Sequence, residues 1–283
     1  MTGEQVRVSA AWLDLREPAD AAARSLDLVR ILLAHWPADR PTVVHDLGAG
    51  SGSMGRWLAP HLPGPQHWVL HDRDGDLLAL AAVQASTTGD AGGVTLETRQ
   101  GDLTRLPPDD LANAALVTAS ALLDMLTADE LRRFVQTCVA ANCPALVTLS
   151  VIGGVRLHPM DPLDEVVEAA FNEHQQRTTG GRALLGPRAF DVAVELFGAL
   201  GWRVEVRASP WELGPESAPL IARWFAGWVD AACEQRPELA AAATAYRHRR
   251  STQLHEGRLA VTVAHRDLLA LPPHCPTEPS DSS

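Results

Sequence analysis

The apolar positions change period along the chain, and each change marks a different kind of structure. Residues 9 to 36 place Leu26, Val29, Ile31, Leu32 and Leu33 at helical spacing and stop at Pro37, which predicts one or two helices ahead of the main fold. From residue 42 the pattern shortens to compact apolar runs: TVVHDL at 42–47, HWVLHD at 67–72, VTLETR at 94–99, ALVTAS at 115–120 and ALVTLS at 145–150. They recur every ~20–30 residues, the spacing of βα units that feed a parallel sheet. Helices are predicted between them at 53–61, 76–86 and 128–141. The last opens on Thr127 with Glu130 three residues on, a capping box ahead of Leu131, Phe134 and Val135.

The alternation breaks after Val151. A segment at 152–187 carries Gly153, Gly154, a predicted helix over 162–176 and the pair Gly180 and Gly181, and is expected to be a lid-like insert. A helix at 188–199, ended by Gly201, and a strand at 202–208 restore the pattern, and a further strand is predicted at 258–265. Between those strands, residues 210–256 are rich in Ala and Trp (Trp211, Trp224, Trp228) and predict two helices separated at Pro237. Such an excursion either covers the sheet or offers a homodimer face. The division expected is a helical cap at 1–40, one α/β domain at 41–270 with these two inserts, and a disordered tail at 271–283.

Charge and missing residues narrow the chemistry. The net charge of −11 is the wrong sign for affinity built on neutralising phosphates, so nucleic acid is not an expected partner. All 24 basic side chains are arginine, and without lysine neither a Schiff base nor a P-loop is available. The four cysteines form no C-x-x-C pair, and no metal site is expected. The opening MTGEQVRV lacks the basic-then-apolar order of a signal peptide, and no apolar run reaches the ~18 residues of a membrane span, so a cytoplasmic protein is expected.

The first predicted strand runs into HDLGAGSGSMG, which puts Gly48, Gly50 and Gly52 at a tight turn where a ligand can approach the backbone before a helix opens. Gly50, Gly52 and Gly55 also satisfy G-x-G-x-x-G, so a nicotinamide-dependent oxidoreductase is a rival. Asp46, two residues before the first glycine, separates the two readings. A carboxylate there repels a pyrophosphate and holds a cationic amino-acid group.

The sequence Asp46-x-Gly48-x-Gly50-x-Gly52 after a first strand resembles motif I of class I S-adenosylmethionine-dependent methyltransferases, of a bacterial type. The resemblance implies a Rossmann-like α/β fold with a seven-stranded, mostly parallel sheet, helices on both faces and helical insertions, its last strand antiparallel. It implies S-adenosyl-L-methionine as cofactor, with Asp72 on the ribose, Asp102 and Leu103 at the adenine, and Ala119 and Ser120 at the pocket edge. The acceptor expected is an oxygen or nitrogen of a small molecule, since neither the nucleophile motif of cytosine methylation nor that of amide methylation is present. A non-catalytic module binding the same cofactor is a further alternative.

Acceptor-side candidates come from residue chemistry alone. Asp124 follows the fourth strand. In FNEHQQR, Asn172, His174 and Arg177 fall within two helical turns, and His174 has the side chain best suited to proton transfer near neutral pH. His174 and Asp124 are therefore the candidate catalytic residues, with Asn172 and Arg177 as candidate substrate contacts.

Overall fold

The computed structural model describes residues 8–36, 41–87 and 93–273. The part of the expected tail at 274–283 lies outside the described residues. Two helices precede the sheet, α1 (Ala10–Ala23) and α2 (Leu26–Ala34). Each begins at a serine whose hydroxyl accepts a backbone N–H, Ser9 from Trp12 and Ser25 from Leu28.

The chain then alternates: β1 (Thr42–Leu47), α3 (Ser53–Leu58), β2 (Gln66–Asp72), α4 (Gly75–Thr87), β3 (Val94–Gln100), β4 (Leu116–Ser120), α5 (Ala128–Ala141) and β5 (Ala145–His158). The capping box at Thr127 and Glu130 is formed, with both reciprocal hydrogen bonds present. The second half holds α6 (Asp164–Gln175), a hairpin of β6 (Thr178–Thr179) and β7 (Arg182–Ala183), α7 (Ala189–Ala199) and β8 (Arg203–Ala208). It continues through β9 (Trp211–Leu213), α8 (Ala218–Gln235) and α9 (Ala240–His255) to β10 (Ala260–Leu271).

The main sheet runs β3-β2-β1-β4-β5-β10-β8, with β9 as a short eighth strand paired to β10. The first five strands are parallel and β10 is antiparallel to its neighbours. Strand order reverses between β1 and β4, and in such sheets the crevice beyond the strand ends at the reversal is where a ligand fits. One face is covered by α5 and α7 through Phe134, Val135, Phe190 and Phe197, and the other by α2, α3 and α4 through Leu28, Leu32, Met54, Leu58 and Leu78.

The structure corrects the expected insert at 152–187. Residues 152–158 are sheet, because β5 continues to His158 and pairs along β10 from His265 back to Ala260. The glycines that signal a break are accommodated within this ladder: Gly153 takes φ +87° and β10 shifts register between Val263 and His265. The lengthened β5 and β10 carry a third core, in which α6 and α8 contribute Val167, Phe225 and Trp228 against Leu157 and Val261. The excursion at 210–256 thus covers the sheet of its own chain. Its anchor is Asp164, which accepts hydrogen bonds from the Tyr246 hydroxyl (2.5 Å) and the fully buried Arg250 guanidinium, tying α6 to α9. Among the described residues no helix is long and apolar enough to cross a membrane.

Candidate active site

The glycine loop lies at the strand-order reversal. Gly48, Gly50 and Gly52 have φ of +74°, +54° and +81°, a region that side-chain-bearing residues avoid. Space is also short, since a Cβ on Gly48 would stand 3.0 Å from Leu122 Cδ1, and one on Gly50 3.1 Å from Leu13 Cδ1. Asp72, at the end of β2, fixes the loop: Gly50 N donates to its Oδ2 (2.8 Å) and Asp74 N to its Oδ1 (2.9 Å). Each oxygen keeps a further lone pair for a ligand hydroxyl.

Asp46 is buried at the end of β1. Thr118 Oγ1 donates to its Oδ1 at 2.8 Å, while Oδ2 has no partner. Burial pushes the carboxyl up to about 6, against the opposing pull of Thr118 and of the Arg24 charge.

Arg24, from the turn between α1 and α2, has no sequence signal, yet it reaches this same point. It is 3% exposed. Nη2 donates to Ser53 Oγ and to Ser120 Oγ, each at 3.1 Å, whereas Nε and Nη1 have no partner. An unpaired buried guanidinium edge and an unpaired carboxylate oxygen that feels its charge are costly in an apolar interior, so the two are suited to a ligand that carries both charges.

The remaining cofactor candidates divide. Ala119 is buried and Ser120 half-buried at the end of β4, and Leu103 Cδ2 lies 3.7 Å from the Cβ position of Gly48. Asp102 does not join them. Its exposed carboxylate is turned back onto Thr104, accepting from both its backbone N–H (3.0 Å) and its hydroxyl (2.6 Å), as the cap of a short turn.

Beyond the end of β4, against the middle of β5 and β10, lies a cavity of ≈ 290 Å³. Trp12, Phe171, Trp211, Trp224 and Trp228 line it, together with the polar side chains of Asp124, Asn172 and His265. Two lining residues without glycine's freedom have positive φ, Ala121 at +51° and Leu149 at +56°. The second is held by buried Asp267, whose Oδ1 accepts Leu149 N (2.8 Å) and whose Oδ2 accepts Ser25 N (2.8 Å). Local strain of this kind persists where the surroundings over-determine it, as they do here. Asp124 is half-buried, and burial pushes its carboxyl up to about 6. His265 is driven down to about 3 by burial, and is therefore a neutral imidazole at neutral pH.

One helix separates the loop from the cavity. From α1, Trp12 and Arg16 line the cavity, while Leu13 lies over Gly50 and Glu17 pairs with Arg56 of α3 (2.8 Å). Arg16 is spoken for: Nε and Nη2 donate to the two oxygens of Asp20 at 2.9 and 3.1 Å, and its guanidinium lies 5.0 Å from the Trp211 ring centre.

On α6 the structure brings Asn172 to the cavity and leaves His174 and Arg177 out of its lining. Phe171, Asn172 and Gln175 share one helix face, and His174 points to the neighbouring helix instead. Its ring is buried, with Nε2 3.0 Å from Glu234 Oε2 of α8 and Nδ1 against Arg177 Nη1. Both ring nitrogens are engaged, so the expected catalytic role of His174 and the expected substrate contact of Arg177 give way to a helix-to-helix tie. Among the described residues no cluster of three or more His, Cys, Asp or Glu could hold a metal.

Comparison with known proteins agrees with this architecture. Residues 44–144 match the family model described as a methyltransferase domain, a span from within β1 to the residue before β5. No curated protein matches the chain by sequence. Among solved structures, a cyclopropane synthase of Mycobacterium tuberculosis aligns at 12% identity over 93% of this chain and 94% of its own, with a TM-score of 0.50. An S-adenosylmethionine-dependent methyltransferase of Geobacter sulfurreducens, solved with S-adenosyl-L-homocysteine, aligns at 16% identity over 95% of this chain and 100% of its own, with a TM-score of 0.46. At 12% identity the likeness to the cyclopropane synthase is one of fold alone, and the fold is the Rossmann-like α/β arrangement expected from the sequence.

Proposed function

We propose that the chain is an S-adenosyl-L-methionine-dependent methyltransferase that moves a methyl group to an oxygen or nitrogen of a small molecule held in the aromatic cavity. The observation that carries this reading is the two unmatched buried groups near the glycine loop, Asp46 Oδ2 and Arg24 Nε and Nη1, whose charges act on each other. An α-amino acid carries the complementary pair. Asp46 would hold the ammonium and Arg24 the carboxylate of the methionine portion, Asp72 would take the ribose hydroxyls, and Leu103, Ala119 and Ser120 would border the rest. A pyrophosphate, by contrast, could pair with Arg24 but would leave Asp46 Oδ2 unmatched and repelling it.

The bound cofactor supplies a methyl already activated on a sulfonium, so the protein's tasks are to align the nucleophile, exclude water and remove a proton. Trp12 and Leu13, adjacent on α1, close the cavity and the loop together. Asp124 is the group that takes the acceptor's proton: it lines the cavity, and with its carboxyl raised to about 6 it is ionised at neutral pH yet a better base than an ordinary aspartate.

Isothermal titration with S-adenosyl-L-homocysteine, with NAD in parallel, tests the reading before any acceptor is known. Saturable binding of S-adenosyl-L-homocysteine and none of NAD is the expected result. Binding of NAD alone would overturn it in favour of an oxidoreductase.

A further inference from the structure

The aromatic cavity also says what kind of molecule it receives. The chain has 8 Trp, 5 Phe and 1 Tyr, and five of these aromatic side chains line this single cavity. Their arrangement is fixed from behind. Trp211 donates its indole N–H to Asp20 (3.0 Å), Trp12 meets Trp211 edge to face at 6.5 Å, and Trp224 stacks on Trp228 at 5.2 Å. Walls of flat rings at these separations favour a flat guest, which can join them in offset or edge-to-face contact.

The lining brings one charge of each sign, the Arg16 guanidinium and the Asp124 carboxylate, so a guest with a net charge meets repulsion as well as attraction. Two of the three guanidinium nitrogens of Arg16, Nε and Nη2, are held by Asp20, whose carboxylate offsets the pull of Arg16 on an anion. The same guanidinium lies over Trp211, occupying a cation's place on that wall and repelling a second cation. Neutral hydrogen-bonding capacity, however, is left over on three lining residues. Trp228 Nε1, Asn172 Oδ1 and His265 Nδ1 are each buried without a partner, on side chains of which Trp228 is 2% and His265 4% exposed. The indole nitrogen can only donate and the amide oxygen can only accept.

We propose that the cavity binds an uncharged, planar aromatic or heteroaromatic molecule of one or two rings that bears both a hydrogen-bond acceptor and an O–H or N–H donor, recognised by Trp224, Trp228, Asn172 and His265. A cavity of ≈ 290 Å³ sits at the small end of ligand pockets, which matches one or two rings and excludes a long acyl chain. The inference rests on the methyltransferase reading for what happens next. The ring O–H or N–H heteroatom forms the bond to the methyl carbon as the carbon–sulfur bond breaks with its electron pair staying on sulfur, and the released proton passes to Asp124.

The test is titration of the full chain, saturated with S-adenosyl-L-homocysteine, with four probes: 7-hydroxyquinoline and 5-hydroxyindole as uncharged rings, benzoate as an anion and choline as a cation. At least one uncharged ring is expected to bind tenfold or more tightly than either ion. The Trp224→Ala variant, at a half-buried position, is expected to weaken that ring about tenfold while leaving S-adenosyl-L-homocysteine affinity unchanged; His265→Ala is expected to act in the same direction. Preference for choline or benzoate, binding of none of the four, or an unchanged Kd in Trp224→Ala would overturn the proposal. Should S-adenosyl-L-homocysteine fail to bind while the uncharged ring still saturates, the ring site stands and the methyltransferase reading falls.

Discussion

The glycine-loop half of the crevice and the aromatic half are built by different means. From β1 to β4 the site is made largely of backbone: three glycines at positive φ, an aspartate at the end of each of the first two strands, and a parallel register that brings Asp46 opposite Thr118. The aromatic half is made of side chains from α1, α6, α8, β9 and β10, each delivered by a different long-range contact. The first arrangement is local and tolerates little change in residue type. The second leaves residue type free to follow the guest, because any side chain of suitable size at the same positions would still close the core.

Three changes would break or sharpen that contrast. The largest effect is expected at Asp124. Asp124→Asn removes the proton acceptor, and a fall in kcat of about a hundredfold or more is expected with S-adenosyl-L-homocysteine affinity unchanged, measured by steady-state kinetics and titration. The same residue sets a pH dependence. With its carboxyl raised to about 6, activity is lost as pH falls through that value, since the base is then protonated. Asp46 titrates in the same range, so kcat/KM for the acceptor must be followed at saturating cofactor, where only the Asp124 limb should remain. A limb that survives in Asp124→Asn would reassign the base.

Next in size is Arg24→Met, which keeps the buried volume and removes the charge. It should weaken S-adenosyl-L-homocysteine by roughly ten- to a hundredfold, or about 1.4–2.7 kcal/mol, the worth of hydrogen bonds to a charged group. The fold without cofactor should change little in stability, because the substitution removes two buried donors that have no partner together with the Nη2 bonds to Ser53 and Ser120. Unchanged affinity would mean that the guanidinium serves only Ser53 and Ser120. Smallest of all is His174→Ala. Its partner Glu234 is exposed, so turnover and cofactor affinity should stay within about twofold of the parent and stability should fall by no more than ~1 kcal/mol. A marked loss of turnover at normal stability would return His174 to the site.

The cofactor half was the legible half because its signals are short-range. An aspartate two residues before a glycine turn and another at the next strand end can be read at fixed spacing, and compact apolar runs locate the strands that carry them. Arg24 had no such signal. It lies 96 residues from Ser120, and no spacing rule links the end of a first helix to the fourth strand. On the other side, the eye is drawn to His174 because histidine suits proton transfer, yet helix geometry decides which residues share a face. Asn172 and Gln175 turn inward with Phe171, and the intervening His174 does not.

What the sequence determined by itself is the alternation of strands and helices, the glycine turn with its flanking acids, and the absence of lysine chemistry, all of which follow from local period and residue type. Tertiary structure alone decided how far β5 extends, because a glycine-containing stretch becomes sheet only when β10 is there to satisfy its backbone. It also decided which polar groups are left without partners. Hydrogen-bond satisfaction is a property of neighbours brought together by folding, and Arg24, His265 and Trp228 acquire their unmatched atoms only in the packed chain.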